Sequence, residues 1–315
     1  MAIQTVKAIV DGQEHTLTYN VETKKWTALF TAPNRSSYNE EGHYYDVTAR
    51  ATDEAGNVKE VNSSTEGAIG EALRLEVNEH VKPTATITAP GENALLTDNT
   101  PEITVQLRDD DSGINIDTFS LEIDSNPAIR SDSPGVSTES VSGGYDVVYT
   151  PQEALGDGAH TIKVNVSDND GNAADTVTRS IKIDTTPPSL DITSPPDNFV
   201  TNQKTITFEG SASDASGTPT VTMLLNEKTD QGEVTLNGEG KFTKQVTLEN
   251  EGVNYVDTTA TDKAGKTTTI RRTIILNTHA PEFKTVTLTP NPVDAGATCQ
   301  IDITFEDTGE EAMNG

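Results

Sequence analysis

The sequence predicts an all-β protein made of repeated antiparallel sandwiches, and two patterns carry this prediction. A turn phrase occurs three times, as Asp-Glu-Ala-Gly-Asn at 53–57, Asp-Asn-Asp-Gly-Asn at 168–172 and Asp-Lys-Ala-Gly-Lys at 262–266. Each copy follows a strand-like run, and recurrence of a strand-turn-strand unit indicates a repeat architecture. Apolar residues also alternate with polar ones in many places, which is typical of strands with one buried face. Few windows show helical spacing, so no helix is predicted.

The turn phrase has a physical explanation as a hairpin. Its first residue is an Asp, whose side chain accepts a hydrogen bond from a backbone N–H further along the turn. Its fourth residue is a Gly, which takes a positive φ without steric penalty. We therefore expect the aspartates of the three copies to brace hairpins rather than to bind a ligand: Asp53, Asp168 and Asp262.

Composition narrows the class of partner. The chain has 315 residues with 22 Lys and Arg against 50 Asp and Glu, a formal charge of −28. Such a charge repels nucleic acids and anionic membranes, which are bound through excess Lys and Arg. It suits solubility, and it also favours cations such as Ca²⁺. No window approaches the ~18 apolar residues of a membrane span, so membrane insertion is not expected.

The sequence offers no catalytic constellation. Its five histidines are scattered without metal-ligand spacing, and it has neither a Gly-rich phosphate loop nor a nucleophile elbow. We predict that the protein is not an enzyme, with no catalytic or cofactor-binding residues. Cys299 is the single cysteine, so an internal disulfide is impossible. Its alternating surroundings predict a half-buried position in a strand.

Proline-bearing junctions divide the chain into four parts. Similar stretches begin near Pro83 and Pro187, and a third junction carries Pro281. Because proline stiffens a linker, we expect consecutive domains to form a semi-rigid rod. The predicted parts are 1–79, an incomplete unit; 80–184 and 185–278, two complete sandwiches; and 279–315, a partial unit or assembly tail.

The sequence resembles the bacterial immunoglobulin-like domains that occur in tandem. The resemblance lies in four stretches: Pro-Pro-x-x-x-Ile-x-x-Pro at 187–195, the Asp-Ser-Gly element at 111–113, Gly-Tyr-x-Val-x-Tyr-Thr-Pro at 144–151, and the Asp-Gly to Gly-Asn segment at 157–172. It implies sandwiches of about seven strands over about 100 residues. Members of this family build bacterial surface adhesins and decorate phage tails and capsids, so it implies little about the particular role.

The two ends differ from the middle. The first unit starts at a strand that matches the third strand of a complete sandwich, so its first two strands are absent, whereas residues 286–305 match those two strands. One hypothesis is strand donation, in which the tail of one chain completes the first unit of the next. The alternatives are a compact variant domain at 1–79, a tail that docks on another partner, or truncation of a longer gene.

Calcium is the candidate ligand. Acidic residues follow the second strand of each complete sandwich, and another acid lies at a linker, so their oxygens could hold an interdomain Ca²⁺. Solvated turns with capping acids are the alternative, because the spacing of a strong calcium motif is absent. The candidates are Asp109, Asp110, Asp111, Asp184 and Asp214.

These patterns favour a structural or interaction protein. We expect a phage or phage-like virion component, tail-associated and assembled in the host cytoplasm, that acts as a spacer or host-contact element. Its expected partners are other virion proteins, itself head to tail, and a host surface. The chain starts at Met without an export signal or anchor, which motivates this expectation. The alternative is a fragment of an adhesin on the bacterial cell surface.

Overall fold

A computed structural model describes residues 2–306, which divide between two compact units, Met1–Ile183 and Asp184–Gly315. Nearly all regular structure in this range is β, which confirms the predicted fold class. The exceptions are the 3-10 helix η1 (Ser37–Asn39) and the single-turn helix α1 (Ala68–Glu71). None of the helices among residues 2–306 is long and apolar enough to cross a membrane.

The first part of the chain forms one sheet. Its strands are β1 (Ile3–Val10), β2 (Gln13–Asn20), β3 (Lys25–Thr27), β4 (Tyr45–Asp53), β5 (Val58–Val61) and β6 (Arg74–Leu75). They lie in the order β3-β2-β1-β4-β5, and β6 pairs with β4.

The second part is a two-sheet sandwich with a continuous core. Its strands are β7 (Thr84–Ala89), β8 (Ala94–Leu96), β9 (Ile103–Arg108), β10 (Ile114–Ile123), β11 (Val136–Val141), β12 (Gly144–Tyr149), β13 (Gly158–Asp168) and β14 (Val177–Ile183). The sheets are β10-β13-β14-β8 and β11-β12-β9-β7. Apolar side chains from alternate positions of both sheets meet between them, including Ile103, Val105 and Leu107, each at most 1% exposed.

The second unit contains a similar sandwich followed by a separate hairpin. The sandwich strands are β15 (Ser189–Ser194), β16 (Phe199–Thr201), β17 (Thr205–Ser213), β18 (Thr220–Leu225), β19 (Thr229–Val234), β20 (Lys241–Thr247), β21 (Gly252–Thr261) and β22 (Thr267–Leu276). Their sheets are β15-β17-β20 and β16-β22-β21-β18-β19. The hairpin consists of β23 (Glu282–Thr289) and β24 (Gln300–Glu306).

The three turn phrases form the predicted hairpin braces. In each, the Oδ1 atom of the first Asp accepts a hydrogen bond from the backbone N–H four residues later, at 2.8–2.9 Å. The fourth residue adopts a left-handed conformation, with φ of +83°, +92° and +84° at Gly56, Gly171 and Gly265. The phrase therefore closes the same strand-to-strand connection in all three parts of the chain.

The residue eight positions before the turn Asp differs in each part but makes the same kind of bond. From the sequence, a corner tyrosine is expected in the first part alone. The structure shows that all three side chains bind a backbone carbonyl upstream, so the anchoring is retained although the residue type changes. The bonds join Tyr45 Oη to Arg35 O (3.3 Å), His160 Nε2 to Gly156 O (2.7 Å) and Asn254 Nδ2 to Asn250 O (2.6 Å).

The prediction for Cys299 is wrong. The residue is exposed and precedes β24 rather than lying within it. The physical reason is that β23 and β24 have no second sheet packed against them among the described residues, so nothing buries this end of the hairpin.

Candidate functional sites

Two clusters of three carboxylates are the first candidate sites. The first acidic cluster consists of Glu79, Asp109 and Asp168, and the second acidic cluster of Asp184, Asp214 and Asp262. Within each cluster, one carboxylate oxygen of every residue lies within 4.8 Å of those of the other two. Carboxylate oxygens at this spacing can share one hard cation.

The two clusters occupy equivalent places in their sandwiches. One member stands five residues before the first strand (84 − 79 and 189 − 184). A second directly follows β9 or β17, the strand that pairs with the first strand of the sandwich. The third is the Asp that opens the turn phrase, at the end of β13 or just after β21. Because these three chain segments meet at one end of each sandwich, the fold assembles the same arrangement twice.

The carboxylates of the first acidic cluster accept hydrogen bonds from uncharged N–H donors. The Asn172 side-chain amide donates to both Glu79 Oε1 at 3.0 Å and Asp168 Oδ2 at 2.8 Å. Asp109 Oδ1 accepts from the backbone N–H of Gly113 at 2.7 Å. Burial raises the pKa of Glu79 above its ordinary value, and the neighbouring Asp168 carboxylate raises it further. The Asn172 amide, which donates to both Glu79 and Asp168, offsets part of the repulsion between these carboxylates.

The second acidic cluster lacks that compensation. Asp184 is 4% exposed and Asp262 is 7% exposed, yet the Oδ2 atom of each has no hydrogen-bond partner. Lys266 stands where the first cluster has Asn172, and only its backbone N–H reaches Asp262. No ammonium or guanidinium group in the described range lies within 4.0 Å of these three carboxylates. Asp184 and Asp262 are therefore buried with no described cationic group within 4.0 Å, whereas Asp214 is half-buried.

The predicted metal candidates separate into two groups. Asp109, Asp184 and Asp214 enter the acidic clusters, whereas Asp110 and Asp111 do not. Sequence reasoning treated Asp168 and Asp262 only as hairpin braces and did not single out Glu79. The available signal was the shared offset of Glu79 and Asp184 from the following strand, combined with the repeated turn phrase.

Asp111 instead holds residues 35–39, which connect β3 to β4, against the sandwich formed by residues 84–183. Its carboxylate accepts from the backbone N–H of Ser36 at 3.1 and 3.2 Å, from Arg35 Nε at 3.3 Å and from Asn39 Nδ2 at 3.1 Å. The carbonyl of Asp110 accepts from Arg35 Nη2 at 3.1 Å. The residues that follow β9 therefore anchor residues 35–39.

An incompletely covered sheet face is the second kind of candidate site. In the first sheet, strands β1, β2 and β4 present a charged face with the ion pairs Lys7–Glu14, Arg50–Glu14 and Arg50–Glu60. Their other face carries a row of six apolar side chains, of which Val10 is buried and the other five are half-buried. The apolar face consists of Val6, Ala8, Val10, Leu17, Ala49 and Ala51.

The complete sandwich shows what normally covers such a face. Strand β10 pairs with β13 as β1 pairs with β4, and the inward residues Phe119, Leu121 and Ile123 are 0–4% exposed. They are buried because the sheet that contains β7, β9 and β12 packs on them. Residues 2–79 contain no counterpart of β7 and β9, and no cluster of buried apolar side chains forms there.

The hairpin β23–β24 has the opposite deficiency. Its two strands pair antiparallel, as β7 and β9 do in the complete sandwich. Apolar side chains pair across it, yet every residue of both strands is exposed. The exposed fractions run from 44% to 72% in Phe283, Val286, Leu288, Ile301, Ile303 and Phe305.

The fold places the chain in the class of tandem β-sandwich proteins. Family models match three stretches: residues 2–66 a bacterial Ig-like domain, residues 83–164 a bacterial Ig domain, and residues 188–278 domain B of glucodextranase. Two of the three models describe bacterial Ig-like domains, and these matches confirm the resemblance found in the sequence. No curated protein matches it.

Solved structures similar to this chain are tandem β-sandwich proteins. The fibronectin(III)-like modules of Clostridium thermocellum CbhA are 16% identical over 62% of this chain and 94% of theirs, with a TM-score of 0.35. Extracellular domains 3–5 of Drosophila OTK are 11% identical over 87% of this chain and 85% of theirs, with a TM-score of 0.34. Immunoglobulin-like architecture is typically non-catalytic, and a tandem array of such domains is typical of structural and interaction proteins.

Proposed function

We propose that this chain is a tail-associated virion component, a spacer or host-contact element, that assembles head to tail by strand donation. The hairpin β23–β24 of one copy inserts against the apolar face of the first sheet of the next. The observation that carries the proposal is the match between two deficiencies. The first sheet lacks counterparts of β7 and β9, and the hairpin has that strand content with nothing packed on it.

The physical driving force is burial of apolar surface on both partners. A large apolar side chain contributes about 1.5–3 kcal/mol when it is moved from water into a packed core. Six such side chains are exposed on the hairpin, and the facing sheet offers a complementary row. Strand edges left unpaired in the donor and acceptor also gain hydrogen-bond partners, as in known strand-addition complexes. Because donor and acceptor surfaces differ, the contact is heterologous and propagates.

The net charge of −28 opposes this association. Copies of a strongly acidic chain repel each other, and salt screens that repulsion with a Debye length of about 8 Å at physiological ionic strength. Assembly should therefore be studied at 0.15 M salt or above, and it should strengthen as salt rises. This dependence has the opposite sign to that of an association held by ion pairs.

The test uses two variants that each retain one functional surface. Leu17→Asp places a charge on the apolar face of the first sheet, and Phe305→Asp places one on the hairpin. Analytical ultracentrifugation of the wild-type chain should show oligomers that grow with concentration. Either variant alone should remain a 33.6 kDa monomer. An equimolar mixture of the two should form heterodimers and nothing larger, because only one donor and one acceptor remain.

Matched controls distinguish strand donation from nonspecific association. Thr16→Asp and Thr304→Asp alter neighbouring residues on the opposite faces of the same strands, and they should assemble like the wild type. If the wild-type chain stays monomeric up to high concentration, the strand-donation proposal is refuted. Assembly of either single-site variant to the wild-type extent would do the same.

A surface adhesin is the second candidate, because the same two faces would also be covered by neighbouring domains within a longer bacterial surface protein. The matches to bacterial Ig-like domains favour considering it. Mass spectrometry of purified virions and immunogold labelling of intact host cells distinguish the two. Detection in virions supports the proposed role, whereas labelling confined to the cell surface supports the adhesin.

A further inference from the structure

We propose that the second acidic cluster, formed by Asp184, Asp214 and Asp262, is a calcium-binding site. This inference is independent of the proposed assembly, since it concerns one end of the sandwich in the second unit. It modifies the sequence-based candidates by adding Asp262 and by leaving Asp109, Asp110 and Asp111 out of the ligand set.

Unsatisfied buried oxygens carry the inference. The Oδ2 atoms of Asp184 and Asp262 are buried and accept no hydrogen bond, although both side chains are more than nine-tenths buried. A buried polar atom without a partner is costly, and an ionised carboxylate more so, unless a cation compensates it. One oxygen each of Asp184, Asp214 and Asp262 lies within 4.8 Å of the others, so a single ion can serve all three.

Two other oxygen atoms of the cluster, Asp262 Oδ1 and Asp214 Oδ1, accept hydrogen bonds from the backbone. Asp262 Oδ1 accepts from the Lys266 backbone N–H at 2.8 Å. Asp214 Oδ1 accepts from the backbone N–H of Ser216 at 2.6 Å. These bonds restrain the carboxylates of Asp262 and Asp214. These carboxylates are therefore held in position before an ion binds.

The chemistry of the ligand set indicates which ion it is. The set contains only carboxylates, with no His or Cys, which selects hard cations over zinc and other transition metals. Calcium accepts 6–8 oxygen ligands in flexible geometry, and backbone carbonyls and water complete its shell. Magnesium demands a tighter octahedron and keeps most of its water. Three ligands from three separate loops suit the more permissive ion.

The first acidic cluster supplies an internal comparison. There Asn172 donates its amide to Glu79 and Asp168, and the pKa of Glu79 is raised by burial. The amide donor satisfies carboxylate oxygens in that cluster, as a cation would do in the second. Lys266 replaces Asn172 in the second sandwich and gives no side-chain hydrogen bond to Asp262 in the structure. The demand for an ion is consequently greater in the second cluster.

The ion would tie three segments together. Asp184 begins the segment that leads into β15, Asp214 follows β17, and Asp262 opens the turn between β21 and β22. Calcium would thus fix the entry of the chain into the sandwich, and binding to the folded state alone would raise its stability.

The experiment measures calcium binding and thermal unfolding of the full chain, first stripped with EDTA. Isothermal titration with CaCl₂ should show a site, and 10 mM Ca²⁺ should raise the melting temperature of the second unit by at least about 5 °C. Asp214→Asn and Asp262→Asn should each weaken the affinity about 100-fold, because calcium affinity follows ligand charge. In EDTA these variants should melt at or above the wild-type temperature, since a buried like charge is gone.

The controls keep the result specific. Asp191→Asn changes charge equally at an exposed position of β15 and should retain the full calcium response. Asp168→Asn alters the first acidic cluster and should leave the second unit's shift unchanged. A wild-type chain with no calcium heat and an identical melting temperature in calcium and EDTA overturns the proposal. So does a full response in Asp262→Asn, or an equal response to Mg²⁺ at the same concentration.

Discussion

Replacement of Asp111 by Ala should detach residues 35–39 from the sandwich formed by residues 84–183. The Asp111 carboxylate is the acceptor for the backbone N–H of Ser36, a residue that is 0% exposed. It also accepts from Arg35 and from the Asn39 amide. Alanine removes all of these side-chain acceptors while leaving the backbone carbonyl at position 111, which Asn39 contacts at 2.6 Å.

The expected loss follows from the surroundings of each donor. The buried Ser36 N–H loses its acceptor, which costs about 1–3 kcal/mol. The Arg35 side chain is 62% exposed, so its ion pair contributes only about 0–1 kcal/mol. The total should be roughly 2–3 kcal/mol. For a unit of this size, 1 kcal/mol shifts the melting temperature by about 2–4 °C, so Asp111→Ala should melt about 5–10 °C lower.

The assay uses the single tryptophan of the chain. Trp26 lies in β3 of the first sheet, so its fluorescence in a urea titration reports on the part that Asp111 anchors. Amide hydrogen exchange at Ser36 gives a local reading. Asp111→Asn should retain most of the stability, because the amide oxygen can still accept from Ser36, and Asp110→Ala should lie within about 0.5 kcal/mol of the wild type.

Two results would refute this reasoning. If Asp111→Ala unfolds at the wild-type urea concentration with unchanged exchange at Ser36, the carboxylate is not the anchor. If Asp111→Asn loses as much stability as Asp111→Ala, the charge rather than the acceptor matters, and the assignment of the energy to Ser36 is incorrect.

Two further predictions concern the residues that anchor the corners of the two complete sandwiches. Burial lowers the pKa of His160, but hydrogen bonds to the Gly156 carbonyl and Asp124 outweigh it and leave the pKa above the ordinary value of 6.5. The resulting stability should be complete below pH 6.5 and be lost as pH rises through the raised pKa, and His160→Gln should flatten that slope in urea titrations at pH 6–8. Asn254 is 0% exposed and bonds both the N–H and the carbonyl of Asn250. Asn254→Leu should therefore cost about 2–4 kcal/mol in thermal unfolding, and a loss below about 0.5 kcal/mol would contradict its anchoring role.

The repeated turn phrase shows how far local sequence determines structure here. An Asp followed three residues later by a Gly specifies the hairpin because both the hydrogen bond and the positive φ are local requirements. Period-two alternation likewise specifies which residues of a strand face inward, as in Ile103, Val105 and Leu107. Alignment of these patterns also predicted that the hairpin resembles a strand pair for which residues 2–79 show no counterpart.

The acidic clusters show what local sequence does not determine. Asp109, Asp110 and Asp111 are consecutive and chemically alike, yet the first enters a carboxylate cluster and the third anchors residues 35–39. Side chains of neighbouring residues point in different directions, so their partners depend on which distant segments the fold brings near. Glu79 and Asp168 lie 89 positions apart in the sequence (168 − 79) and become neighbours only when the sandwich closes.

By itself, the sequence determined the all-β fold, the tandem sandwiches and the hairpin braces, because each rests on patterns within a few residues. The tertiary structure alone decided which carboxylates share a site and which of their oxygens lack partners. It also decided that a corner residue can be Tyr, His or Asn and still bind an upstream carbonyl. Those features depend on distances between remote segments and on burial, which exist only after the sheets have packed.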